Sequence, residues 1–117
     1  MTQHAGLTPE RWASFSLDQQ ILMIANEMNR GRRLAREDDW SRVESGYARV
    51  LQLVDLTVAS RPRQSFLREL LRWRDLVAQL YVTGSPNPAA HDEALRCLLY
   101  FTRSAAEQIP YVLPSNR

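Results

Sequence analysis

Lysine is missing altogether: the fifteen basic residues of this 117-residue chain are all arginine. Two origins fit that bias. One is a GC-rich coding preference that replaces Lys with Arg throughout. The other is a use for arginine's planar fork, which suits buried ion pairs and phosphates. Cysteine occurs once, at Cys97, so no disulfide can form within the chain. A zinc site would have to draw mostly on two scattered histidines, His4 and His91, so neither redox chemistry nor a structural metal is suggested. Four glycines in all leave no P-loop and no dinucleotide-binding loop. No apolar run approaches the roughly 18 residues a membrane span needs. The opening MTQHAGLTPERW has neither the basic start nor the apolar stretch of a signal peptide. A cytoplasmic protein with no membrane partner is the expectation. Thirteen acidic residues bring the net charge to only +2, too small to mark nucleic acid or anionic lipid as a partner by itself.

What is present reads as one all-α domain. The length suits a single core, and an apolar fraction of 44% with 24% charged residues excludes disorder and low-complexity classes. Thr8-Pro9-Glu10 starts a short helical turn through Trp12, since proline at the first helical position has no amide hydrogen to leave unsatisfied. Ser16 with Gln19 forms a capping box, after which Leu17, Ile21, Ile24, Ala25 and Met28 recur at helical period. That helix reaches Arg36 if Gly31 is tolerated inside it, and its last turns hold cations that complement the helix dipole. Glu37-Asp38-Asp39 makes the connection, with an Asp capping a second helix whose stripe runs from Trp40 to Val58. Pro62 restarts the chain, and Gly84 ends the third helix in a left-handed conformation. Asn87-Pro88 repeats the cap-then-proline signature before a fourth stripe, His91 to Ile109, that Pro110 stops. The expected helices are therefore 17–36, 40–60, 62–83 and 88–109, with the apolar tail Tyr111 to Pro114 laid back over them. Helices of such similar length, about 30 Å each, with short connections favour an antiparallel up-down-up-down four-helix bundle.

The third helix carries the sharpest question. On a wheel at 100° per residue, Leu67, Leu70, Leu71, Trp73, Val77, Ala78, Leu80 and Tyr81 span a broad apolar arc, while Arg68, Arg72, Asp75 and Gln79 gather opposite. An arc so wide predicts the most enclosed helix of the set. Arg74 falls inside it. A guanidinium is almost never buried without a partner, so an acid should meet it, and Glu27, Glu44 and Asp55 are the candidates. The expected outcome is an ion pair that sets helix register; the alternatives are snorkelling to the end of the bundle and a pocket arginine that grips a carboxylate or phosphate.

No catalytic grouping competes with this. Di-iron bundles need Glu-x-x-His pairs, and neither His4 nor His91 has a Glu three residues before it. His91 is expected to be a half-exposed packing residue, and Cys97 lies too far round its helix to face it. No arginine precedes a histidine at the short spacing of RNA-cleaving bundles of the HEPN class. Neither cofactor nor metal is expected. The best phosphate or nucleic-acid candidate is NRGRRLAR, with Arg30, Arg32, Arg33 and Arg36 on two to three turns, although the acidic Glu37-Asp38-Asp39 follows at once. Met23, Tyr100, Phe101, Tyr111 and Val112 exceed what four stripes can cover. Such residues are enriched at interfaces, so a homo-oligomer or a protein partner is the leading expectation and RNA or a phosphate ligand the second.

The segments IANEMNR, VLQLVDLT and LRELLRWRDLVAQLY, in this order and spacing, resemble an uncharacterised group of small bacterial all-helical proteins. The matching positions are Glu27 and Arg30, Asp55 to Thr57, and Arg72, Arg74 and Asp75. The likeness runs from Trp12 to Tyr81. It implies an all-helical fold and no particular activity. Gly31 departs from the group's pattern, where Ala would be expected.

Overall fold

The computed structural model describes residues 7–113, and all regular structure in them is helical. In chain order the elements are α1 (Pro9–Ala13), α2 (Leu17–Arg36), α3 (Trp40–Ser60), α4 (Leu67–Thr83), α5 (Pro88–Leu99), α6 (Arg103–Ala106) and α7 (Ile109–Val112). Helix α2 packs against α3 and α5, and α4 packs against the same two; α1 lies on α3 and α6 on α2. No helix among the described residues is long and apolar enough to cross a membrane.

Local chemistry sets most of the boundaries. The Ser16 hydroxyl accepts from the Gln19 amide at 3.1 Å and the Gln19 side chain accepts from the Ser16 amide at 2.8 Å, the reciprocal bonds of a capping box. The three-residue turn after Arg36 closes with Asp38 at φ 58, a left-handed conformation that Asp tolerates better than most residues. Asp39 then caps α3 by accepting from the Arg42 amide. Asn87 caps α5, with Pro88 in its first turn, and Gly84 takes φ 87 after α4. At the start of the chain Thr8 caps α1.

Two boundaries differ from expectation. Helix α4 begins at Leu67 and not near Pro62, after a pair of turns through Arg61 and Gln64. Arg61 is tethered elsewhere: it donates to the Gln20 side chain at 3.0 Å and to the Phe15 carbonyl at 3.2 Å. Gln20 in turn donates to the Trp12 carbonyl, Trp12 Nε1 donates to Thr57 Oγ1, and Thr57 donates to the Leu53 carbonyl. This chain of bonds seats a five-residue helix and leaves buried Gln20 and Thr57 satisfied. The last stripe also breaks: α5 stops at Leu99, and Thr102 caps the separate α6 through the Ala105 amide. Threonine's hydroxyl serves better as a cap than inside a helix. Pro110 does not end the last helix but occupies the first turn of α7, and Leu113 is buried against the core.

The third long helix is not the most enclosed. Helix α2 buries seven residues across its 20, α5 five of 12, and α4 only Leu70, Trp73 and Val77. Two neighbours cover the centre of α4's apolar arc and leave Leu71 at its margin 43% exposed, while Leu76 and Val82, just outside the arc, are 46% and 76% exposed. The wheel located the right face but counted the margins as core.

Candidate functional site

The arginines at the end of α2 divide into two pairs. Arg32 and Arg36 both reach Asp92 on α5: Arg32 Nε donates to one carboxylate oxygen at 3.0 Å and Arg36 to the other at 2.5 Å. Arg32 also donates to the Val112 carbonyl at 2.6 Å, which holds α7 against α2. Burial pushes the Asp92 carboxyl up, but the hydrogen bonds from Arg36 and Arg32 outweigh it and hold the group below the usual carboxylate range. The same bond raises the Arg36 guanidinium. Arg30 and Arg33 face away from this cluster. Arg30 donates to Glu27 at 3.3 Å, and Arg33 lies 3.8 Å from Glu37 on the surface, too far for a hydrogen bond. The four arginines of NRGRRLAR therefore split between the Asp92 cluster and the Glu27 and Glu37 side of α2.

His91, one residue before Asp92, is only 1% exposed and is no half-exposed packing residue. Its Nε2 lies 2.6 Å from the Met28 carbonyl and its Nδ1 2.6 Å from the Tyr47 hydroxyl. A carbonyl can only accept, so Nε2 carries the proton and Nδ1 accepts from Tyr47. Both ring nitrogens are occupied, leaving none for a metal or a proton relay. Burial lowers the His91 imidazole below its ordinary range and pushes the Tyr47 hydroxyl up to about 12. This contact also explains Gly31. A Cβ there would sit 2.8 Å from His91 Cε1 and 3.3 Å from Nε2, so the close approach of α2 to α5 requires a residue without one. One bonded group thus joins α2, α3 and α5.

Arg74 meets Asp55 on α3, with Nε donating to Oδ1 at 2.7 Å and a terminal nitrogen donating to Oδ2 at 3.1 Å. The hydrogen bond raises the Arg74 guanidinium. The pair is not a buried one: the side chains are 31% and 58% exposed. Glu27 lies elsewhere, accepting from Arg49 at 2.8 Å as well as from Arg30, and Glu44 is exposed on α3. The three candidate acids thus serve different places, Asp55 alone meeting Arg74. His4 lies outside the described residues. Among the described residues no group of three or more His, Cys, Asp or Glu gathers as metal ligands would.

Of the concave surfaces among the described residues, two lie on different helix pairs, α4–α5 and α2–α3. Between α4 and α5 an apolar groove of about 330 Å³ is lined by Leu76, Leu80 and Thr83 on one side and Ala90, Ala94 and Cys97 on the other. Under it Trp73 Nε1 donates to the Ala94 carbonyl at 2.7 Å, joining the two helices. Between the end of α2 and the start of α3 a polar cleft of about 410 Å³ is lined by Arg30, Arg33 and Leu34, facing Ser41, Arg42, Ser45 and Arg49. Sequence reading missed the α3 half of this cleft. The signal for it was there, since Ser41, Ser45 and Arg49 recur at intervals of four on the face of α3 away from its apolar stripe. Compared with family models, with curated proteins and with solved structures, the chain matches none of them, as a member of an uncharacterised group would.

Proposed function

We propose that the protein is an up-down-up-down four-helix bundle that works without catalysis, by pairing with a second copy of itself across the α4–α5 face. The bundle reading is supported by the cyclic packing of α2, α3, α4 and α5 and by the short turn between α2 and α3. The observation that carries the function is Leu76, 46% exposed at the rim of the apolar groove on the least enclosed long helix. A few well-packed, fully desolvated side chains near the centre of an interface contribute most of its binding energy. Beside the groove Cys97 adds a small apolar surface, and Tyr100 stands one turn further along the same face of α5, largely exposed.

A second copy suits this face better than a charged partner because its rims are balanced. Arg72 pairs with Glu69 on α4 and Arg96 approaches Glu93 on α5, so each helix offers both signs. A twofold axis through such a surface sets arginine opposite acid. An exposed, unpaired Cys97 fits a reducing compartment, and we place the protein's work in the cytoplasm.

Sedimentation velocity from micromolar to submillimolar protein tests the reading. The expected mass is a dimer's, twice the 13.5 kDa of the chain, and Leu76→Glu should return the monomer with its helical circular dichroism unchanged. A monomer across the whole concentration range would overturn it.

A further inference from the structure

The geometry points to the α2–α3 cleft as a binding site for a small ligand bearing a phosphomonoester dianion. Four guanidiniums and two hydroxyls line it, and no carboxylate does. Arg30 and Arg49 come to it already held, because Glu27, only 10% exposed, accepts from both. Arg33 and Arg42 bring charge that can turn inward: Arg33 makes only the long contact to Glu37, and the Arg42 side chain forms no ion pair among the described residues. Ser41 and Ser45, one turn apart on α3, place hydroxyl donors between the arginines.

Charge selects the ligand. Four guanidiniums line the cleft and no carboxylate does, while Glu27 and Glu37 touch Arg30, Arg49 and Arg33 from outside its lining. A phosphate monoester carries about −1.5 to −2 near neutral pH and offers three acceptor oxygens to the forked donors. Its organic part also has room, since the cleft's volume lies within the usual range for small-molecule sites. A nucleic-acid backbone fits less well. It needs a track of cations, and the arginines that would extend one along α2, Arg32 and Arg36, are turned into Asp92.

Titration of the full chain with inorganic phosphate and pyrophosphate, followed by amide chemical shifts and calorimetry at low salt, tests the assignment. We expect saturable binding that shifts the Ser41, Arg42 and Ser45 resonances. Arg42→Ala should weaken it roughly tenfold or more, the usual loss for a charge-assisted contact, while Arg72→Ala on α4 removes the same charge and leaves affinity unchanged. Non-saturating titrations, or equal loss in both variants, would overturn the site. So would a short single-stranded RNA that binds when pyrophosphate does not. The cleft is separate from the α4–α5 face, so Leu76→Glu should leave phosphate binding intact whatever it does to self-association.

Discussion

Helices α2 and α4 share the same two neighbours, yet α2 buries seven residues and α4 three. Their stripes look alike in sequence. The difference lies in what comes third: the chain after Leu99 turns back over α2, bringing α6 against it and tying α7 to Arg32, while nothing in the described residues covers the outer side of α4. Amphipathic pattern therefore states which face of a helix turns inward, and the path of the rest of the chain determines how much of that face stays dry. The uncovered margin is where the proposed self-association lies.

The contrast is sharpest in the cores. Truncating fully buried Ile24 on α2 to Ala should cost about 2–5 kcal/mol, whereas Leu76→Gln on α4 should cost less than about 0.5 kcal/mol as a surface change. Urea denaturation of the two variants at a protein concentration where the chain is monomeric measures both. Similar losses would erase the distinction.

Next in size is the His91 contact. Alanine is a better helix former than glycine by about 1 kcal/mol, yet Gly31→Ala should destabilise by about 1–3 kcal/mol because the added methyl overpacks the imidazole. In a His91→Ala background the same change should become neutral or favourable. A double-mutant cycle reads that coupling, and additive effects would show that the ring does not set the spacing of α2 and α5.

The pH dependence tests the same group. His91 is neutral in the fold with its affinity for protons lowered, so above about pH 6.5 folded and unfolded chains bind the same number of protons there. Below that value the unfolded chain takes up a proton that the native one resists. Stability should then fall by up to roughly 1.4 kcal/mol per pH unit, and His91→Ala should remove the slope. Asp92 acts lower: its depressed carboxyl contributes fully above the ordinary carboxylate range of about pH 4, and that contribution is lost as pH falls further. Denaturation midpoints between pH 8 and 3 separate the two windows.

The smallest effect belongs to Arg74. Its pair with Asp55 is half in water, so Arg74→Ala should cost at most about 1 kcal/mol. Asp92→Ala, which strands Arg32 and Arg36 and loosens the hold on α7, should cost more. The reverse order would make the α3–α4 ion pair the more important of the two.

The helices of the first half of the chain were legible in detail. Ser16, Gln19 and Asp39 cap through amides three residues away, and such short-range bonds survive whatever the rest of the fold does. Thr102 fell within the last apolar stripe and so read as helical, whereas its hydroxyl caps α6 through the Ala105 amide. Arg61 gave no warning, because the groups that pull it out of a helix, Gln20 and Phe15, lie 41 and 46 residues away. Among the candidate site residues, Asp55 was named beside Arg74 and meets it. Asp92 was not named, although it neutralises two of the four arginines singled out.

By itself the sequence determined that the described chain is helical, where α2 and α3 begin and end, and which face of each helix is apolar, since caps and periodicity act over one or two turns. Only the tertiary structure decided that Gly31 makes room for His91, that Arg32 and Arg36 are neutralised while Arg30 and Arg33 look onto a cleft, and that α4 keeps a wet margin. Each of those outcomes joins groups far apart along the chain, and short-range preferences carry no information about which distant group will arrive.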